Sequence, residues 1–257
     1  MFDLADAMIA ANEELEFNRN PADGQQVDLP IRLENNKENI TIRLTYIGGG
    51  AFTKAFLAAD GTVVLATREE PPYGEMTKRL LSMLQDTFTE DNRYLYVNIP
   101  DVTHLGQTGF VIKGKATLFE VYTSPLYKAP LPSNAPLDAK KQAQFLRNRI
   151  KAAFKKSSYD KVSGAMFPQA TCEEFISNIY KDISKYKYKP FTGCDPMKWL
   201  LFIQSVLLMI ELSELVSNTW LMEAPNRNLA LDDDGNLILL DIFFDYQSLI
   251  NRQKDNV

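Results

Sequence analysis

The feature that most constrains this chain is a change of hydrophobic period at a proline-rich break. Residues 124–137, SPLYKAPLPSNAPL, contain four prolines, which the interiors of helices and strands do not accommodate. Before the break, apolar and polar residues alternate as they do in strands, whereas after it apolar residues recur every three or four positions as they do in helices. We therefore expect a sheet lobe over residues 1–123 and a mainly helical lobe over residues 124–257.

Three segments before the break have the pattern of strands. PIRLENNKENITIRLTYI alternates on both sides of an Asn-rich turn, and KAFLAADGTVVLATR does so around Asp60-Gly61, a strong hairpin signal. GFVIKGKATLFEVYTS supplies two further strands, and GEMTKRLLSMLQDTF, which precedes it, has helical spacing. Together these patterns predict a small antiparallel sheet with one helix.

Three helices are predicted after the break, in LDAKKQAQFLRNRIKAAFKK, TCEEFISNIYKDISKY and DPMKWLLFIQSVLLMIELSELVSN. In the third, Asp195 is placed as N-cap with Pro196 at the first helical position. That helix is very apolar, but it carries Gln204, Glu211 and Glu214, so we expect a buried core helix and no membrane span. The chain then forms a hairpin in NLALDDDGNLILLD, which turns at Asp-Asp-Gly-Asn.

Composition excludes several classes of protein. The net charge of -5 argues against a protein that coats nucleic acid, and the two cysteines with no signal-peptide pattern indicate a reducing, cytoplasmic setting. His104 is the only histidine, so a cluster of histidine and cysteine metal ligands is excluded by count. The segment PDVTHLGQTG shows no nucleophile, and we expect His104 to lie at the surface or in a turn.

Three adjacent glycines, Gly48, Gly49 and Gly50, stand between two predicted strands in TYIGGGAFTKAF. Phosphate-binding loops of the Walker and Rossmann types open a helix, and no helix follows here. Glycines between antiparallel strands can instead form a flap whose backbone N–H groups approach phosphates. In the pattern G-x-G-x-x-G, Gly48 and Gly50 are the first two glycines, and Thr53 takes the place of the third. The alternative is a β-bulge or close packing between strands.

Two oxygen-bearing side chains flank the C-terminal hairpin. Asn228 and Asp241 are 13 positions apart at opposite ends of the strand-turn-strand unit, which brings both to one edge. Such a pair suits Mg²⁺, which takes one or two protein ligands together with nucleotide phosphates and water. The alternative is that both residues serve as turn or cap residues.

The order of these motifs resembles that of the protein-kinase-like superfamily, and the plan is most similar to the compact early protein kinases of lytic bacteriophages. IGGGAFTKAF is similar to the Gly-rich loop, ATR to the strand A-x-K, LFEVY to the hinge, EAPNRN to the catalytic loop and DIF to the D-F-G. The resemblance implies an α+β, two-lobed protein-kinase-like fold. Its small antiparallel sheet lobe would carry one helix, and its mainly helical lobe would carry the catalytic-loop hairpin.

The resemblance also implies where ATP would be bound. Backbone N–H groups of the glycine segment would cover the phosphates, and the main chain of the hinge would hold the adenine edge. The phosphate-covering residues are Gly48, Gly49, Gly50, Ala51, Phe52 and Thr53, and the hinge residues are Glu120 and Tyr122.

Four further roles follow from the same resemblance. Asn228 and Asp241 would hold Mg²⁺, Glu223 would orient or deprotonate the attacking hydroxyl, and Arg68 would contact the α- and β-phosphates. Arg68 stands where the family has lysine, and a planar guanidinium places its charge differently. Glu223 stands where the family has aspartate, and its extra methylene moves the carboxylate by about an ångström, enough to cost roughly a hundredfold in rate.

These features predict an ATP- and Mg²⁺-dependent phosphotransferase, a phage Ser/Thr protein kinase acting on host proteins in the bacterial cytoplasm. The substitutions at Arg68 and Glu223 leave open a pseudokinase that binds a host partner, and a small-molecule kinase is the third reading. Residues 128–190 form a basic insert with 13 basic and five acidic residues, net +8 against -13 for the rest.

The basic insert predicts a docking surface for an acidic host partner such as transcription or translation machinery, unless it is only a solvated helical face. KYKYKP at 185–190 interleaves aromatics with lysines as single-stranded nucleic-acid surfaces do, a less favoured partner.

Overall fold

The computed structural model describes residues 22–49, 53–68, 83, 92–112, 115–156, 169–216, 220–240 and 243–245. The chain divides into two compact units. The first comprises residues 1–85 and 101–126, and the second comprises residues 86–100 and 127–257.

The first unit contains six antiparallel strands that close into a barrel. Their order around the barrel is β1-β2-β3-β4-β6-β5, and β1 pairs with β5 to complete the circle. The strands are β1 (Gln26–Leu33), β2 (Asn39–Gly49), β3 (Thr53–Leu57), β4 (Val63–Arg68), β5 (Thr103–Ile112) and β6 (Lys115–Ser124).

The two hairpins expected from alternation are confirmed, and the two further predicted strands pair with each other. β1 pairs with β2, β3 with β4 and β5 with β6, each antiparallel. At the β3–β4 turn, Gly61 adopts a φ of +88° and the Asp60 carboxylate accepts a hydrogen bond from the Thr62 N–H, as the Asp-Gly signal predicts. Alternate residues of each strand point inward, and their apolar side chains fill the barrel: Val27, Leu29, Ile31, Leu44, Tyr46, Phe56, Val64, Ala66, Phe110, Phe119 and Val121.

The predicted two-lobed protein-kinase-like fold, in which a small antiparallel sheet lobe carries one helix, is wrong. The sheet has six strands and is closed, and the described chain adds three helices. Closure occurs at a short seam where Arg32 pairs with Gln107 and Leu33 with Gly106. Gly106 makes the seam possible, because it has a φ of +154° and its missing Cβ would stand 2.0 Å from the Arg32 carbonyl oxygen.

Two further hydrogen bonds cross the seam. The Glu34 N–H donates to the Leu105 carbonyl at 3.0 Å, and the Thr108 hydroxyl donates to the Pro30 carbonyl at 2.6 Å. Periodicity alone does not reveal this pairing, because its partners are more than 70 residues apart.

The second unit contains the three predicted helices. They are α1 (Leu137–Lys156), α2 (Gln169–Ser184) and α3 (Pro196–Val216). Asp195 caps α3 as expected, since its Oδ1 accepts hydrogen bonds from the N–H groups of Met197 and Lys198. The helix predicted over residues 74–88 lies outside the described residues, apart from Met83, which is helical.

The core of the second unit is built around aromatic side chains. Phe145 of α1 makes edge contacts with Tyr186 and with Trp199 of α3, and the Trp199 indole N–H donates to the Tyr186 carbonyl. Of the described helices, α3 alone is long and apolar enough to cross a bilayer, with a mean hydropathy of 1.3. More than half of that stretch is buried inside the protein, as expected for a core helix.

Two small ladders complete the second unit. β7 (Trp220–Met222) pairs with β10 (Phe243–Asp245), and β8 (Leu229–Leu231) pairs with β9 (Leu237–Leu239) in the predicted hairpin. Asn98 is hydrogen-bonded to the second ladder at two points. Its side-chain amide donates to the Leu237 carbonyl, and its main-chain carbonyl accepts a hydrogen bond from the Leu239 N–H.

Candidate functional site

The segment that leads from β7 to β8 carries the predicted catalytic residue. All three residues of β7 are buried, and the chain emerges at Glu223 before a short 3-10 helix, Asn226–Asn228, leads into β8. The Asn228 N–H donates to the Pro225 carbonyl, which closes the turn. Residues 223–228 are called the catalytic segment below, after the role that the sequence predicts for Glu223.

Glu223 is held in place by two donors of its own segment. Its Oε1 accepts hydrogen bonds from Arg227 Nη2 at 3.0 Å and from Asn228 Nδ2 at 3.3 Å. The Glu223 side chain is 42 % exposed, so the carboxylate is oriented and still open to solvent. A carboxylate in this setting can accept a proton or a hydrogen bond from an incoming hydroxyl group.

Asn228 is buried and lies beside the chain that leads to Asp241. Its carbonyl accepts a hydrogen bond from the Leu240 N–H at 3.0 Å, one residue before Asp241. The hairpin therefore brings the Leu240 backbone alongside Asn228. Asp241 itself lies outside the described residues.

A cavity of about 500 Å³ opens beside Glu223 in the second unit. Arg147 of α1 lines it and fastens the catalytic segment, because its Nε donates to the Ala224 carbonyl at 2.8 Å and its Nη2 donates to Asn226 Oδ1. Periodicity missed Arg147, since nothing near it in the sequence marks a residue that holds a loop 77 positions away.

Among the described residues, no cluster of three or more His, Cys, Asp and Glu side chains could hold a metal ion. Any Mg²⁺ at this place would depend on the predicted pair Asn228 and Asp241. Because Asn228 Nδ2 points to Glu223, Asn228 Oδ1 is the atom that Mg²⁺ would take.

Strand geometry accounts for two of the three adjacent glycines. Gly48 has a φ of +149° at a register shift between β2 and β3, and a Cβ on Gly49 would stand 2.9 Å from the Thr53 carbonyl. This is the bulge and close packing that the sequence left as an alternative. Thr53 begins β3, and its hydroxyl lies 3.2 Å from that of Thr67, whereas Gly50, Ala51 and Phe52 lie outside the described residues.

The residues assigned to the adenine edge lie within the barrel wall. Glu120 and Tyr122 are each paired with β4 on one side and β5 on the other. Their main-chain groups take part in strand pairing. Adenine recognition at these residues stays a prediction, and it would require β6 to separate locally from a neighbouring strand. The backbone of Arg68, in β4, pairs with that of Phe119 in β6, but the Arg68 side chain lies outside the described part.

The Glu120 side chain makes a buried cluster that the sequence did not indicate. His104 Nε2 lies 2.7 Å from Glu120 Oε2, and Gln107 Nε2 donates to Oε1 at 3.0 Å. The expectation that His104 lies at the surface or in a turn is wrong, because it lies within β5 and is bonded to this carboxylate. Its partner is 16 residues away on the neighbouring strand, a distance that no local pattern reveals.

Lys54 is a second residue that the prediction missed. It stands opposite Gly49 in the β2–β3 ladder, is only 2 % exposed, and places its ammonium 5.9 Å from the centre of the Tyr46 ring. Burial lowers the pKa of Lys54 below its usual range. The alternation in TKAFL does reveal it, because Lys54 shares the inward face of β3 with Phe56.

In comparisons with known proteins, the sequence matches no family model and no curated protein.

Proposed function

We propose that this protein is an ATP- and Mg²⁺-dependent phosphotransferase that phosphorylates Ser/Thr hydroxyls of proteins. The observation that carries the proposal is the local arrangement of Glu223, Asn228 and the backbone at Leu240. The Glu223 carboxylate, the buried Asn228 amide and the Leu240 backbone, which directly precedes Asp241, lie together in the second unit. These are the groups that positioning and electrostatic catalysis of phosphoryl transfer require.

In this proposal Glu223 receives the acceptor hydroxyl. Its Oε1 is held by Arg227 and Asn228, which limits the rotation of the carboxylate and leaves Oε2 to accept the hydroxyl proton. Arg147 keeps the segment in place through its bonds to Ala224 and Asn226. The protein thus supplies orientation, on which phosphoryl transfer chiefly depends.

Asn228 and Asp241 would hold Mg²⁺, which when bound neutralises charge on the transferred phosphate. Asn228 fits this role, because its amide nitrogen is engaged with Glu223 and its buried position fixes the direction of Oδ1. The roles that the resemblance implies for residues 48–53 and Arg68 at the ATP phosphates stay predictions. The acceptors are proteins of a bacterial host.

One observation favours a binding protein without catalysis as the second candidate. One of the two hydrogen bonds to Glu223 comes from the Arg227 guanidinium and is an ion pair, which competes with a substrate for this carboxylate. Such a pseudokinase would keep the hydrogen bonds of this segment without transferring phosphate, and it would use the basic insert to capture an acidic host protein.

Incubation with γ-labelled ATP, Mg²⁺ and bacterial lysate tests the proposal. Glu223→Ala and Asp241→Asn should each lower label transfer at least about a hundredfold, the usual range for losing a general base or a metal ligand. Asp233→Asn is the matched control, because Asp233 is an almost fully exposed hairpin carboxylate and its loss should leave transfer unchanged.

Circular dichroism should show that all three variants keep the wild-type fold. Equal transfer by wild type and Glu223→Ala would refute the assignment of the site. Capture of a lysate protein with no transfer by the wild type would favour the binding protein instead.

A further inference from the structure

The cavity beside Glu223 has a chemical character beyond what the proposed reaction requires. Five of its lining residues are apolar and three are cationic, and Glu223 stands among them. The apolar residues are Ile150, Phe154, Met222, Ala224 and Pro225, and the cations are Arg147, Lys151 and Lys155.

The three cations form a row along one side of α1. They occupy positions i, i+4 and i+8 of α1 and therefore lie on one face of the helix, about 6 Å apart along its axis. Arg147 is bonded to the catalytic segment, but Lys151 and Lys155 are exposed and form no ion pair within the described ranges. Compensation of the helix dipole does not account for the row, because Lys151 lies before the last turn.

The apolar part of the cavity favours a peptide over a nucleic acid. Single-stranded nucleic acid is held by aromatic faces on which bases stack. Among the described residues of the lining, Phe154 is the only aromatic one, and its ring already packs against Phe175 with the centroids 4.5 Å apart. Ile150, Met222 and Pro225 instead offer aliphatic surface of the kind that accepts peptide side chains.

The spacing of the lysines matches an extended chain. Side chains on one face of a strand recur about every 6.8 Å, and the row on α1 repeats about every 6 Å. We propose that this cavity binds an extended acidic peptide, with carboxylates at alternate positions facing Lys151 and Lys155. If the proposed function holds, that peptide is the segment flanking the acceptor hydroxyl and delivers it to Glu223.

Binding of fluorescent peptides, followed by anisotropy without ATP, tests this inference apart from catalysis. One peptide carries Glu at alternate positions beside a serine, and a second has the same composition with the Glu residues on alternating faces. The first should bind more tightly. Reversing both charges, in Lys151→Glu with Lys155→Glu, should weaken it at least about tenfold, and raised salt should weaken it as well.

Lys156→Glu is the matched control, because Lys156 is exposed on the same last turn and does not line the cavity. It should bind the first peptide as the wild type does. Unchanged binding in the double variant would overturn the inference, as would equal affinity for both peptides. Tighter binding of an oligonucleotide that is lost in the double variant would also overturn it, in favour of nucleic acid.

Transfer of label from ATP to the same peptide is measured separately. Binding that depends on the lysines supports the inference even if no transfer occurs, and in that case only the proposed function fails.

Discussion

Gly106→Ala tests the closure of the barrel directly. An alanine Cβ would lie 2.0 Å from the Arg32 carbonyl oxygen and 2.9 Å from its carbonyl carbon, and both are backbone atoms that no side-chain rotation can move away. The variant must therefore separate β1 from β5. The cost combines about 1–3 kcal/mol of backbone strain with about 1 kcal/mol for each hydrogen bond lost at the seam. We expect a total of about 3–5 kcal/mol.

Gly61→Ala is the control, because Gly61 also has a positive φ, +88°, but its Cβ would meet nothing within 4 Å. The Gly61→Ala variant should lose only the free energy of backbone strain, about 1–3 kcal/mol, and no hydrogen bonds of the seam. In thermal unfolding the difference between the two variants, about 2 kcal/mol, should lower the melting temperature of Gly106→Ala by about 4–8 °C relative to Gly61→Ala at this chain length. Hydrogen exchange should also become faster in residues 26–33 and 103–112 of Gly106→Ala only. Equal melting temperatures with unchanged exchange would refute the closed seam.

Two other predictions concern the second unit. Asp195→Ala removes both hydrogen bonds that cap α3 and should cost about 1 kcal/mol in urea unfolding, whereas Asp195→Ser should restore most of it. Burial, and then the charge of Glu211, raise the pKa of Glu214 above its ordinary 4.5, so the folded state binds more protons there and stability falls as pH rises through that range. Glu214→Gln should therefore stabilise the protein at pH 7 and give no gain at pH 4, and an equal gain at both values would contradict this reasoning.

Local chemistry made much of the secondary structure predictable. The β3–β4 turn follows from Asp60-Gly61, whose preferred dihedrals and side-chain hydrogen bond select one hairpin. Likewise α1 begins and ends where its apolar spacing does, at Leu137 and Lys156. In these segments each residue responds mainly to neighbours a few positions away, so periodicity and turn residues carry the information.

The closed barrel could not be predicted in this way. Its seam joins Leu33 to Gly106. Near the seam the sequence shows no more than a glycine, and the reason for that glycine, its positive φ, is clear only when the partner strand is in place. The protein-kinase-like resemblance implied a different, two-lobed fold, because it rested on the order of motifs along the chain, and this order does not determine which strand edges meet.

The site was predictable in part. The resemblance implied roles for Glu223 and Asn228, which stay predictions, and the structure brings the two side chains to 3.3 Å. Arg147 escaped notice because its role depends on helix packing, which single-sequence patterns do not specify. Lys54 was overlooked although strand alternation places it inside the barrel.

The seam between β1 and β5 also governs the order in which the protein can fold during synthesis. The ribosome completes β1 more than 70 residues before the partner strand appears, which at about 5–20 residues per second is a delay of roughly 4–15 s. Through that interval the edge of β1 is open to pairing with other chains, since unpaired strand edges favour aggregation. Slow translation of residues 34–102 should thus lower the soluble yield, and a chaperone that covers the nascent strand should restore it.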